Sequence, residues 1–148
     1  MKRTIEVLVL LTAFLIGCGN SGSNDSLFWE TNLEVALQKA SKENKAVLVN
    51  FTGSDWCQWC FKLNDEVFKQ KEFEDYAEEN LVLVKVDFPK KIEQSMETKM
   101  YNQQLAQKFG VQGFPTIILF DKLGQPVAKT GYQDGGAANY VRYLESFL

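Results

Sequence analysis

Histidine is absent from all 148 residues of this chain. That removes His-assisted nucleophiles, His general bases and His metal ligands in one step. Cysteine is scarce too, at three, and a structural zinc site needs four ligands. Basic runs are missing: the "PKK" at 89–91 is short enough to be solvated loop, and the net charge is −3. No nucleic-acid face is expected. There is no internal repeat, and no apolar run long enough to span a bilayer. What is present is an apolar fraction of 45%, with eleven Phe, five Tyr and three Trp. A chain of this size and composition builds one globular domain with a real core.

The N-terminal segment is distinct from that domain. "MKRTIEVLVLLTAFLIG" places Lys2 and Arg3 before an apolar stretch from Ile5 to Ile16, the pattern of a signal peptide at residues 1–17. It ends in "LIGC", which resembles the lipobox of bacterial lipoproteins, with Cys18 as the lipidated residue. An ordinary signal peptide with an incidental cysteine is the alternative. Multiple acyl chains on Cys18 would make a stable membrane anchor. Residues 18–26, rich in Gly, Ser and Asn, are expected to be a tether, and residues 27–148 the folded domain.

Within the domain, "TNLEVALQKASKEN" has Thr31 and Glu34 at capping-box spacing and Leu33, Ala36, Leu37 and Ala40 on one face, predicting an amphipathic helix to about Asn44. "KAVLVNF" and "LVLVKVDF" are short, nearly continuous apolar runs, as strands buried on both faces should be. Between them Phe61, Leu63, Val67 and Phe68 suggest a helical stripe, and "KEFEDYAEEN" a further short helix. Lys90 to Phe109 has a long polar helical pattern, with Leu105, Ala106 and Phe109 apolar. Met96 and Met100 within it are expected to pack rather than bind copper. "GFPTIILFD" and "VAKTG" are two more strands, and "GAANYVRYLESFL" is a closing helix. This order predicts an α/β fold: one sheet with helices on both faces.

Cys57 and Cys60 stand two residues apart in "SDWCQWCFK". A haem attachment needs histidine after the second cysteine, where Phe61 stands. A structural disulfide is open to an exported protein, but a loop this short restricts the unfolded chain little. Between a buried strand and a helix, redox chemistry suits the pair better. If a helix begins near Cys57, its free N–H groups and dipole favour a thiolate there. Cys60, one turn on and deeper, could then resolve a mixed disulfide.

With these features in order, the chain resembles the thioredoxin superfamily over about residues 30–148. "DWCQWC" follows a strand, "GFPT" comes later, Lys85 lies in "LVKVDF", and Gly131 lies in the final hairpin. It is most similar to small periplasmic thioredoxin-like proteins and to the C-terminal domain of membrane thiol:disulfide interchange proteins. The resemblance implies a central mixed four-stranded sheet and a cis Pro115 facing the cysteines. It also implies catalytic Cys57 and Cys60, with Trp56, Phe114 and Pro115 contacting substrate. No cofactor or metal is implied. The partners implied are disulfide-containing exported proteins and a membrane electron donor or acceptor. The direction of electron flow stays open between reductant and oxidant or isomerase, and a static-disulfide binding module is a third reading. The location implied is the periplasmic side of the bacterial cell envelope, with Gly19 after the lipobox cysteine favouring the outer membrane.

Two departures matter. The family's buried aspartate would stand six residues before the first cysteine, where this chain has Phe51. A one-residue insertion in "FTGSD" would put Asn50 there instead, leaving Asn50, Asp55 and Lys85 as candidates for proton transfer. The segment 89–102 is longer than the family minimum and is expected to be an insertion. Trp29 and Phe28 are expected to cover the sheet.

Overall fold

The computed structural model describes residues 27–148. The expected signal peptide, the expected tether and Cys18 lie outside the described residues. The elements in chain order are β1 (Trp29–Glu30), α1 (Leu33–Glu43), β2 (Ala46–Thr52), α2 (Gln58–Leu63), α3 (Lys71–Asn80) and β3 (Leu81–Asp87). Then follow α4 (Met96–Lys108), β4 (Thr116–Phe120), β5 (Pro126–Thr130) and α5 (Gly136–Glu145).

The sheet order is β1-β3-β2-β4-β5. Strands β1, β2 and β3 run parallel, while β4 pairs antiparallel with β2 and β5 with β4. The mixed α/β architecture is as expected, but the strands number five instead of four. The addition is β1, which pairs only Trp29 with Leu83 and Glu30 with Val84. Two residues are too few to show the period-two pattern by which a strand is recognised in sequence.

Successive strand residues face opposite sides, and here each side has its own core. On one side Leu48, Leu83, Ile117 and Leu119 pack with Phe73, Tyr140 and Leu144 from α3 and α5. On the other, Val47, Val49, Phe51 and Val84 pack with Leu33 and Ala36 of α1 and Leu105 of α4. This is why β2 is buried along its whole length.

Several local expectations need correction. The cap of α1 is Asn32, whose side chain accepts from the Val35 N–H at 2.8 Å. The Thr31/Glu34 capping box does not form; Glu34 accepts from the Tyr101 hydroxyl at 2.7 Å instead. Helix α4 begins at Met96 on a Ser95 cap, so residues 89–95 are loop and the second half of the expected insertion is helix. Met96 and Met100 are exposed, not packed. Phe28 is exposed as well, while Trp29 packs edge-on against Phe68 at 5.2 Å. In α2 and the π-helical turn that follows it, Leu63, Val67 and Phe68 are buried but Phe61 is 42% exposed. It follows Cys60 by one residue, about 100° around the helix from the buried Cys60–Leu63 face.

Candidate active site

The chain leaves β2 at Thr52 and reaches α2 through residues 53–57. Two contacts fix this turn against the end of β3. The Ser54 N–H donates to Asp87 Oδ1 at 2.9 Å, and the Ser54 hydroxyl donates to Oδ2. The indole N–H of Trp56 donates to the Phe88 carbonyl at 2.8 Å. Gly53 is needed beneath that indole, because a Cβ there would lie 2.5 Å from the ring.

Cys57 is the N-cap of α2, and the Cys60 N–H donates to its Sγ at 3.2 Å. The two sulfurs are bonded, with Cα atoms 5.2 Å apart. At 5% and 6% exposure they are equally covered, so Cys60 is not the deeper of the two. Position separates them instead: Cys57 caps a helix, while Cys60 opens onto a cavity of about 330 Å³ beneath the helix. Beyond Leu63 the helix continues as a π-helical turn, Asn64–Phe68, which brings Asn64 and Phe68 to the same cavity.

Asn50 and Lys85 also line this cavity and are register partners across β2 and β3. Asn50 is 8% exposed, and its Oδ1 has no hydrogen-bond partner among the described residues. Phe51 points to the opposite side, fully buried against the α1/α4 core. Of the two positions weighed from sequence for an acid, Asn50 is therefore the one on the cysteine side.

Asp55 is engaged elsewhere. Its carboxylate accepts from the N–H groups of Lys90, Lys91 and Ile92 at 2.9, 2.6 and 3.1 Å. These bonds, the Lys90 one foremost, hold its carboxyl below the usual range. The clamp is thus present at neutral pH and is lost as pH falls through that lowered pKa. Replacing Asp55 by Asn should raise the amide exchange rates of residues 90–92 several-fold, and the wild type should approach the variant in acid. Unchanged exchange would show that the loop is held by other contacts.

An aromatic cluster extends from Trp56, the residue before Cys57. Trp56 meets Phe114 edge-on at 5.9 Å, and Phe114 lies 5.0 Å from Phe88. Lys90 Nζ sits 3.9 Å from the Trp56 ring centroid. The Phe114–Pro115 bond is cis. Gly131, on the chain beyond β5, passes so close that an added Cβ would be 3.0 Å from the Pro115 carbonyl oxygen.

Asp87 and Phe88 were not singled out by sequence. For Asp87 the signal was there: Asn50 and Thr52 on β2, like Lys85 and Asp87 on β3, are polar at alternate positions, marking one face near the strand ends.

Comparison with known proteins gives consistent relationships. Residues 33–147 match the family model described as a thioredoxin-like domain. The disulfide bond reductase DsbH of Chlamydia pneumoniae is 39% identical over 83% of this chain and 74% of its own. A solved DsbH oxidoreductase structure superposes with a TM-score of 0.77 at 38% identity, covering 84% of this chain and 85% of that one. The oxidised C-terminal domain of DsbD from Neisseria meningitidis, at 19% identity, has the same fold. Its TM-score is 0.60, over 82% of this chain and 100% of that one.

Proposed function

The chain belongs to the thioredoxin-like family, and from that premise we propose that it reduces disulfides in exported proteins, in the bacterial cell envelope. It is a thiol:disulfide oxidoreductase. The observation that carries the reading is the Cys57–Cys60 bond at the start of α2, in a chain 39% identical to a disulfide bond reductase.

In the reduced form Cys57 is the attacking group. At the N-cap its sulfur faces free backbone N–H groups and the positive end of the helix, both of which favour a thiolate. The thiolate attacks a client disulfide, one client sulfur leaves as thiolate, and Cys57 is joined to the other. Cys60 then loses its proton and attacks Cys57 Sγ, closing the bond seen here and freeing the second client thiol. The client gains two electrons and the protein gives up two. A membrane electron donor restores the dithiol. Trp56, Phe114 and Pro115 form the surface that receives the client, supported by the contact of Phe114 with Trp56, the chain neighbour of Cys57.

The test is multiple-turnover reduction of a protein disulfide with dithiothreitol as donor, beside the reduction potential of the Cys57/Cys60 couple. Catalysis with a potential in the range of reducing thioredoxins, about −270 mV, supports the reading. An oxidising potential near −120 mV would make it an oxidant. No turnover at all would leave a static bridge in a binding module.

The anchor is proposed from Cys18 and its lipobox, with Gly19 favouring the outer membrane. Among the described residues no helix is long and apolar enough to cross a membrane. Cys18→Ala should abolish acylation and move the protein from the membrane to the soluble fraction. Unchanged membrane association, with no lipid on Cys18 by mass spectrometry, would rule the anchor out.

A further inference from the structure

The resolving step asks Cys60 to give up a proton, and the cavity beneath it determines where the proton can go. Its polar lining combines Asn50 and Thr52 of β2, Ser54, whose N–H and hydroxyl are taken by Asp87, and Asn64 of the π turn with the charged Lys69, Glu74 of α3 and Lys85 of β3. The amides of Asn50 and Asn64 and the hydroxyls of Thr52 and Ser54 cannot take up a proton at ordinary pH, and a lysine ammonium is a donor with no acceptor site. Glu74 is the one carboxylate in the lining.

The charged groups facing it are unequally matched. Lys69 is paired with Asp65 at 2.8 Å. Glu74 and Lys85 are half-buried, yet neither forms an ion pair among the described residues. Half-buried charges need hydration or a partner. Asn50, also in the lining, has a buried Oδ1 with no partner among the described residues. About 330 Å³ is far more than one water needs, on the order of 10–15 Å³.

We propose that Glu74 is the proton-relay residue of this site, taking the Cys60 proton through water held in the cavity that Cys60, Glu74 and Lys85 line. The inference rests on the dithiol mechanism above. The Cys60 S–H proton passes by water to the Glu74 carboxylate, and the Cys60 thiolate attacks Cys57 Sγ. The Cys57–client bond breaks as the Cys57–Cys60 bond forms, and the departing client thiolate is protonated from solvent or from Glu74. The acceptor thus sits on α3, away from the strand position that Asn50 fills.

Stopped-flow reaction of the reduced full-length protein with an aromatic disulfide, which releases a coloured thiolate, separates the steps. The first release reports attack by Cys57 and the second reports resolution by Cys60. Glu74→Gln should slow the second phase by about tenfold or more near neutral pH and leave the first unchanged. The deficit should close at alkaline pH, where the Cys60 thiol ionises unaided. Glu74→Asp, which keeps the carboxylate, should recover part of the rate. Coincident pH profiles for wild type and Glu74→Gln, or a Glu74→Asp as slow as Glu74→Gln, would overturn the relay. A wild type with no second phase would overturn the dithiol mechanism itself, and the relay with it.

Discussion

Cys57→Ser should leave disulfide reduction at the rate of the buffer thiol alone, whereas Cys60→Ser should attack clients and stay joined to them. The asymmetry does not come from exposure, since the two residues are equally covered. It comes from the helix start. Cys57 is the N-cap and its sulfur accepts the Cys60 N–H, so stabilisation of a thiolate is concentrated there. A hydroxyl at position 57 has no comparable nucleophilicity, and turnover ends. A hydroxyl at position 60 leaves the first attack intact and removes the group that resolves it. Cys60→Ser should therefore carry disulfide-linked clients in non-reducing gels, and iodoacetamide should label Cys57 faster than Cys60 in the reduced wild type. Equal labelling with no trapped client would favour the static bridge.

Phe73→Ala should cost about 3–5 kcal/mol, the usual range for removing a fully buried aromatic ring. That is a large part of the roughly 5–15 kcal/mol that holds a domain together. Phe73 has no exposed surface, and its ring lies 4.9 Å from Phe68. Phe68 in turn touches Trp29 of the edge strand and Tyr140 of α5. One ring therefore props the π turn after α2, the helix that carries the cysteines. The effect should appear as a lower urea midpoint with an unchanged slope. A loss below about 1 kcal/mol would mean that Phe68 and its neighbours collapse into the space at little cost.

Much of the domain could be read from residue patterns because its strands are buried on both faces. "KAVLVNF" and "LVLVKVDF" signal themselves by unbroken apolar content, and α1 by its stripe of Leu33, Ala36 and Ala40. What failed was local competition. Thr31 and Asn32 are both good caps, and the sequence does not say which one the packing of α1 will select. Met96 and Met100 have helical spacing, but a helix with that spacing can turn them outward. The strand Trp29–Glu30 is held by its partner β3 and leaves no periodic trace of its own.

The cysteine spacing, the lack of any histidine to serve as base or ligand, and the succession of elements around one sheet are legible in the residues alone. These are properties of composition and short-range pattern. Which groups share the space beneath Cys60 depends on how the elements pack. Strand register set Asn50 against Lys85 and turned Phe51 to the other side. The loop beyond β3 took the Asp55 carboxylate for its own N–H groups. Helix α3 brought Glu74 to the cavity from a stretch whose other charges face water. Proton transfer acts between groups close in space, and closeness in space between a helix and two strands is set by packing, not by spacing along the chain.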